Sequence, residues 1–130
     1  LVDPRVSIFE GHRLGERARQ RVLDAHPEVA DVLVHMDAEE DQALMSSSAD
    51  LPDRDALMAQ LHELLGEEAA GIERTVLHYL GNRVEVDVFL PMGTCFDAAR
   101  VARLEQRIAS RLPMTPHFRA VTLNCRIAPK

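Results

Sequence analysis

Three side chains near the start of the chain could share one ion: His12, in Ser7-Ile8-Phe9-Glu10-Gly11-His12, and His35 with Asp37, in the run Val34-His35-Met36-Asp37. Residues i and i+2 of a strand point to one face, so His35 and Asp37 would project together, and a preceding helix would bring His12 over to them. Two imidazoles and a carboxylate form a borderline N,O donor set of the kind zinc accepts.

The elements that must position these groups are legible in the local pattern. Leu1-Val2-Asp3 reads as the tail of a strand closed by Pro4. Ser7 with Glu10 three residues on is a capping box, which predicts a helix to about Ala25 with Ile8, Ala18 and Val22 on its buried stripe. Pro27 ends it. Residues 29–37 then read as a strand, with Val32, Leu33 and Val34 supplying apolar and β-branched side chains. The polar, unpatterned stretch that follows holds the acidic run Glu39-Glu40-Asp41, which reads as solvated chain, and a linker over residues 42–52.

Beyond the linker, Leu57, Leu61, Leu64 and Leu65 mark an amphipathic helix over residues 53–66. Two strand-like runs, 72–80 and 83–90, are parted by Gly81-Asn82, a two-residue hairpin signal. In the second run Val84, Val86 and Val88 alternate with Glu85, Asp87 and Phe89, as in a strand buried on one side. Thr94 and Asp97 read as another capping box, opening a helix to about Leu112 with Val101, Leu104 and Ile108 inward. Pro113 and Pro116 break it, and residues 117–127 form the last predicted strand. The order from residue 53 on is helix, strand, strand, helix, strand.

The chain also contains an internal likeness. Val2 to Glu10 aligns with Phe89 to Asp97, and Val32-Leu33-Val34-His35 with Val121-Thr122-Leu123-Asn124. The second copy has Asn124 in place of His35, Arg126 in place of Asp37, and Ala98 or Ala99 opposite His12. It keeps the scaffold and loses the donor set.

Over residues 1–41 the chain resembles the cytoplasmic C-terminal domain of the cation diffusion facilitators, the divalent-metal efflux transporters. In that family a strand leads into a helix opening near Glu/Ala-(Gly)-His, and the next strand closes on Val-His-x-Asp/Glu, the order of Phe9-Glu10-Gly11-His12 and Val34-His35-Met36-Asp37 here. The resemblance implies an α+β fold, a ferredoxin-like or metallochaperone-like open sandwich (αββαβ). Residues 53–130 would supply it whole, and residues 1–41 would be a partial strand-helix-strand repeat before it. It further implies a metal set drawn from His12, His35 and Asp37, with His78 in a strand like the family's first, where another histidine ligand is often found, and Asp87 or Glu85 on the neighbouring strand. Zinc is the first expectation for the cofactor, with iron(II), cobalt, manganese and cadmium also open. The partners implied are a second copy of the chain, as a homodimer, and the transmembrane portion of the same transporter, outside this chain. The location implied is the cytoplasmic side of the cell membrane.

Composition narrows the classes without choosing among them. A length of 130 residues suits one domain or two small ones, and no apolar run approaches the roughly 20 residues a bilayer crossing needs. The net charge of −6 argues against a nucleic-acid partner. Two cysteines, Cys95 and Cys125, without CxxC spacing, lead us to expect free thiols in a reducing compartment, with Cys125 a small core residue. No nucleophile elbow, P-loop or dinucleotide fingerprint is present, so no enzyme is expected. The main rival reading is a metal-free ferredoxin-like interaction or ligand-sensing module. A weaker one is a thiol enzyme built on Cys95, which lies at the first turn of a predicted helix.

Overall fold

A computed structural model of the chain describes residues 2, 3, 5–36 and 50–126 and divides into two compact units, Leu1–Gln42 and Ala43–Lys130. Asp37, the acidic run Glu39-Glu40-Asp41 and most of the expected linker lie outside the described residues.

In the first unit the cap signal is realised. The Ser7 Oγ accepts from the Glu10 backbone N–H at 3.2 Å and opens helix α1, Ile8–Ala25. The helix closes at His26, whose N–H reaches the Val22 carbonyl, one residue before Pro27. Its buried side differs from the predicted stripe: Ile8 is 94% exposed, Val22 and Ala18 are also exposed, and the buried residues are Gly11 and Gly15. The reason is close approach. A Cβ at Gly11 would stand 3.0 Å from Met36 Cε, and one at Gly15 would stand 3.5 Å from Met36 Sδ and 3.9 Å from a Val34 methyl. The helix therefore receives the downstream segment on its two glycines. That segment keeps a strand's alternation, with Val32, Val34 and Met36 half-buried and Asp31, Leu33 and His35 exposed, but no strand is assigned over residues 29–36.

The second unit has the predicted α+β order. Helix α2, Arg54–Leu65, is capped by Asp53, whose carboxylate accepts from the Ala56 N–H at 2.9 Å, and buries Leu57, Leu61, Leu64 and Leu65 on one stripe. A 3₁₀ turn over Gly66–Gly71 leads to strand β1, Arg74–Leu80. Gly81, at φ 67°, turns the chain into β2, Arg83–Pro91, a conformation glycine adopts without a Cβ penalty. A short helix α3, Met92–Cys95, precedes α4, Ala98–Arg111, and a 3₁₀ turn leads to β3, Phe118–Arg126. The sheet order is β1-β2-β3, with β1 and β2 antiparallel and β2 and β3 parallel across the α4 crossover. Val84, Val86, Val88 and Leu90 face a core completed by the α2 leucines, Leu104, Ile108 and Phe118.

Two expectations are corrected here. Thr94 is not the cap of the long helix: it is buried in α3, and Asp97 caps α4 by accepting from the Arg100 N–H at 2.9 Å. Nor are the cysteines free, since Cys95 and Cys125 form a disulfide with Cα atoms 6.1 Å apart. The parallel register sets Cys125 beside Leu90 at the end of β2, just before the chain turns into α3 with Cys95 at its close. Cys125 is exposed rather than a core residue. The thiol-enzyme reading thereby loses its free nucleophile.

Candidate metal centres

The first candidate set is spread along one helix and one extended segment. His12 is exposed on α1 and lines a groove of about 260 Å³ with Glu16, Arg19, Asp31, Val34 and Met36. The groove is braced by Arg19, whose Nη2 donates to Asp31 Oδ1 at 2.6 Å. That hydrogen bond, a backbone hydrogen bond at Val32 and the guanidinium's charge hold the Asp31 carboxyl below the usual carboxylate range, and the same partner raises Arg19. His35 does not line the groove. It stands among the exposed residues of the segment, on the face opposite Val34 and Met36, which meet α1. Asp37, two residues on, lies outside the described residues. The fold thus sets His12 on the groove side and His35 on the outward side of the same unit.

The second candidate pair is brought together. His78 stands opposite Glu85, and Val76 opposite Asp87, so His78 and Asp87 are diagonal neighbours on the sheet face turned away from the valine core. The His78 Nε2–H donates to Asp87 Oδ2 at 2.9 Å, in the tautomer this contact implies, and the two side chains are 13% and 34% exposed. Glu85 lies within 3.6 Å of Arg119 Nε, so its carboxylate has a cation beside it. A carboxylate holding one ring nitrogen fixes the imidazole's orientation and leaves the other nitrogen, Nδ1, for a ligand. Among the described residues, no three or more His, Cys, Asp or Glu side chains are grouped so as to hold a metal ion.

Two other histidines have local partners. His26 Nδ1 lies 3.1 Å from Glu28, and His117 Nδ1 lies 3.0 Å from the Gln60 side chain. The sequence reading missed the arginines that bind the second unit's helices together. Arg107 donates to the carbonyls of Leu64 and Glu63 at 2.8 and 3.0 Å, and Arg100 donates to Glu68 at 2.6 Å, which raises the Arg100 pKa. Their spacing along α4 places them on one face, but only the fold shows what that face meets.

With this geometry in place, residues 1–39 match the family described as the cation efflux protein, cytoplasmic domain. The match bears out the resemblance read from the first unit and is consistent with a cation diffusion facilitator dimerisation domain. It spans 39 of the 130 residues. Comparisons with curated proteins and with solved structures return no match. Among the described residues, no helix is long and apolar enough to cross a membrane.

Proposed function

We propose that the chain is the cytoplasmic regulatory and dimerisation portion of a divalent-cation efflux transporter, binding metal in a way that stabilises the closed homodimer. The observation that carries this reading is the family match over residues 1–39, which contain His12 and His35. The geometry adds support. His12 on the groove side and His35 outward face different sides of one unit, and two copies facing each other would supply donors from both. A site completed only between copies binds the closed arrangement better than the open one, and differential affinity of that kind is what shifts a two-state equilibrium. Zinc is the metal we assign first. The His78–Asp87 pair is a second, weaker position on the sheet face. The membrane portion of the same transporter is the partner that would read the change.

The rival is a metal-free interaction module, favoured by the lack of a three-ligand group among the described residues. Calorimetric titration with zinc of the full chain and of the His35→Ala/Asp37→Ala double variant, with light scattering on the same samples, decides between them. Saturable binding with dimerisation, lost in the variant, supports the sensor. Dimerisation unchanged by a chelator supports the metal-free module, and binding retained in the double variant but lost in His78→Ala moves the site to the sheet face.

A further inference from the structure

The Cys95–Cys125 bond joins two points 30 residues apart and closes α4 and most of β3 into a covalent ring. It does so at the edge of the structure, not in its centre. Cys125 is exposed on the last turn of the ladder, where Leu90 pairs with Cys125 and Pro91 with Arg126, while Cys95 is half-buried against the core from the four-residue helix α3. Of the residues that hold the unit, Val84, Val86 and Val88 precede the ring on β2, Leu104, Ile108 and Phe118 lie within it, and Cys95 packs against their cluster from its rim. A bond placed in this way pins a strand end to a short helix at the rim of the core.

Disulfides in a reducing cytosol are rare, and those present are usually transient, with catalytic or redox-sensing roles. Resting on the cytoplasmic reading above, we propose that Cys95 and Cys125 form a reversible redox modification site whose co-substrate is a low-molecular-weight thiol of the glutathione class. The thiolate attacks the exposed Cys125 sulfur, a mixed disulfide forms there, and the electron pair of the broken bond leaves on Cys95 as a thiolate that takes up a proton. A second thiolate attacks the co-substrate sulfur of that mixed disulfide, releasing Cys125 as a thiolate and the co-substrate as its own disulfide. Two co-substrate thiols have then supplied two electrons. The product is a chain with two cysteine thiols, its α3 and the C-terminal end of β3 no longer tied. The buried Thr94, the exposed Phe96 and the final rungs of β3 are what the switch rearranges.

The test is a redox titration of the full chain in glutathione buffers spanning fully reduced to fully oxidised, with the state of each cysteine read by alkylation and mass spectrometry. A reversible transition with both cysteines titrating together, centred within the range of cytosolic glutathione ratios, is the expected result. Thiols that stay reduced at every ratio overturn the proposal and leave the cytoplasmic reading untouched. A bond that resists every ratio overturns both, since it marks a structural disulfide of an oxidising compartment. Amide exchange on Cys125→Ser adds a check: protection should fall at least about tenfold over residues 92–96 and 121–126 and hold at Val84, Val86 and Leu104. Global loss of protection identifies a structural staple and refutes the switch.

Discussion

Gly66 and Arg107 form a lock between the two core helices of the second unit whose strength follows from its geometry. Gly66 caps α2 at φ 65° and ψ −130°, and a Cβ placed on it would lie 2.7 Å from Arg107 Cζ and 2.8 Å from its Nη2. The guanidinium sits there because it donates to the Glu63 and Leu64 carbonyls, which α2 leaves without helical partners at its end. Gly66→Ala must adopt a backbone conformation that costs about 1–3 kcal/mol for a residue with a side chain, and it must also displace the arginine. The two charge-assisted bonds are partly solvent-screened, and together contribute about 1–2 kcal/mol. The single variant should therefore lose about 2–5 kcal/mol, and Arg107→Ala about 1–2 kcal/mol. Since removing the arginine also removes the clash, the double variant should fall short of the sum by about 1–2 kcal/mol. Tyr79 is the chain's one tyrosine, lies in β1, and has no tryptophan to mask it, so its fluorescence during urea denaturation reports on the second unit. Strict additivity, or a Gly66→Ala loss below about 0.5 kcal/mol, would refute the close approach and the lock with it.

Other consequences are as definite. Gly15→Ala places its Cβ at ordinary contact with Met36, so the gain in helix propensity should raise the first unit's stability by about 0.5–1 kcal/mol, read as a higher denaturation midpoint by circular dichroism. Asp31, its carboxyl depressed by the Arg19 hydrogen bond, lends its tie to the fold above the ordinary value of 3.8 and loses it as pH falls through the depressed one; a carboxyl ¹³C titration finding Asp31 at or above 3.8 would contradict the pair. Asp87→Asn keeps the shape of the His78 contact but weakens the imidazole's orientation, so zinc held at His78 should bind about tenfold more weakly by calorimetry, and an unchanged affinity would remove Asp87 from the metal's surroundings.

The second unit was the more legible because its cues are local and agree with one another. The Leu57, Leu61, Leu64 and Leu65 stripe, the Gly81-Asn82 turn and the alternating valines of β2 each determine one element, and the elements assemble in the predicted order. The errors came where a local cue was outweighed by a contact distant in sequence. Ile8 and Val22 read as the buried stripe of α1, but the helix buries Gly11 and Gly15 because Met36 needs backbone approach, which no count of apolar residues reveals. Cys95 and Cys125 gave no spacing signal, since what joins them is the parallel register of β2 and β3. The same alternation that failed to produce a strand over residues 29–36 still sorted its side chains, and so it was informative about His35 even where the secondary structure was not.

That sorting leads to a way of counting ligands. An imidazole binds a metal only in its neutral form, so each histidine at a site makes the apparent affinity fall tenfold per pH unit well below an imidazole's ordinary value of about 6.5. The slope of log affinity against pH in that range therefore approaches the number of histidines on the metal. A site in the first unit that uses both His12 and His35 should give a slope near two, falling to about one in His35→Ala. Light scattering at saturation then shows whether those histidines come from one copy or two. A slope near two with a dimer at one metal per chain is the signature of two symmetry-related shared sites, each with His12 from one copy and His35 from the other, and the same slope with a monomer at one metal per chain would place the donors on one copy and break the argument from His35's outward position. A flat profile between pH 5.5 and 7.5 would remove histidine from the site altogether, leaving carboxylates such as Asp37 as the donors and the dimer without the differential contact on which the regulatory reading depends.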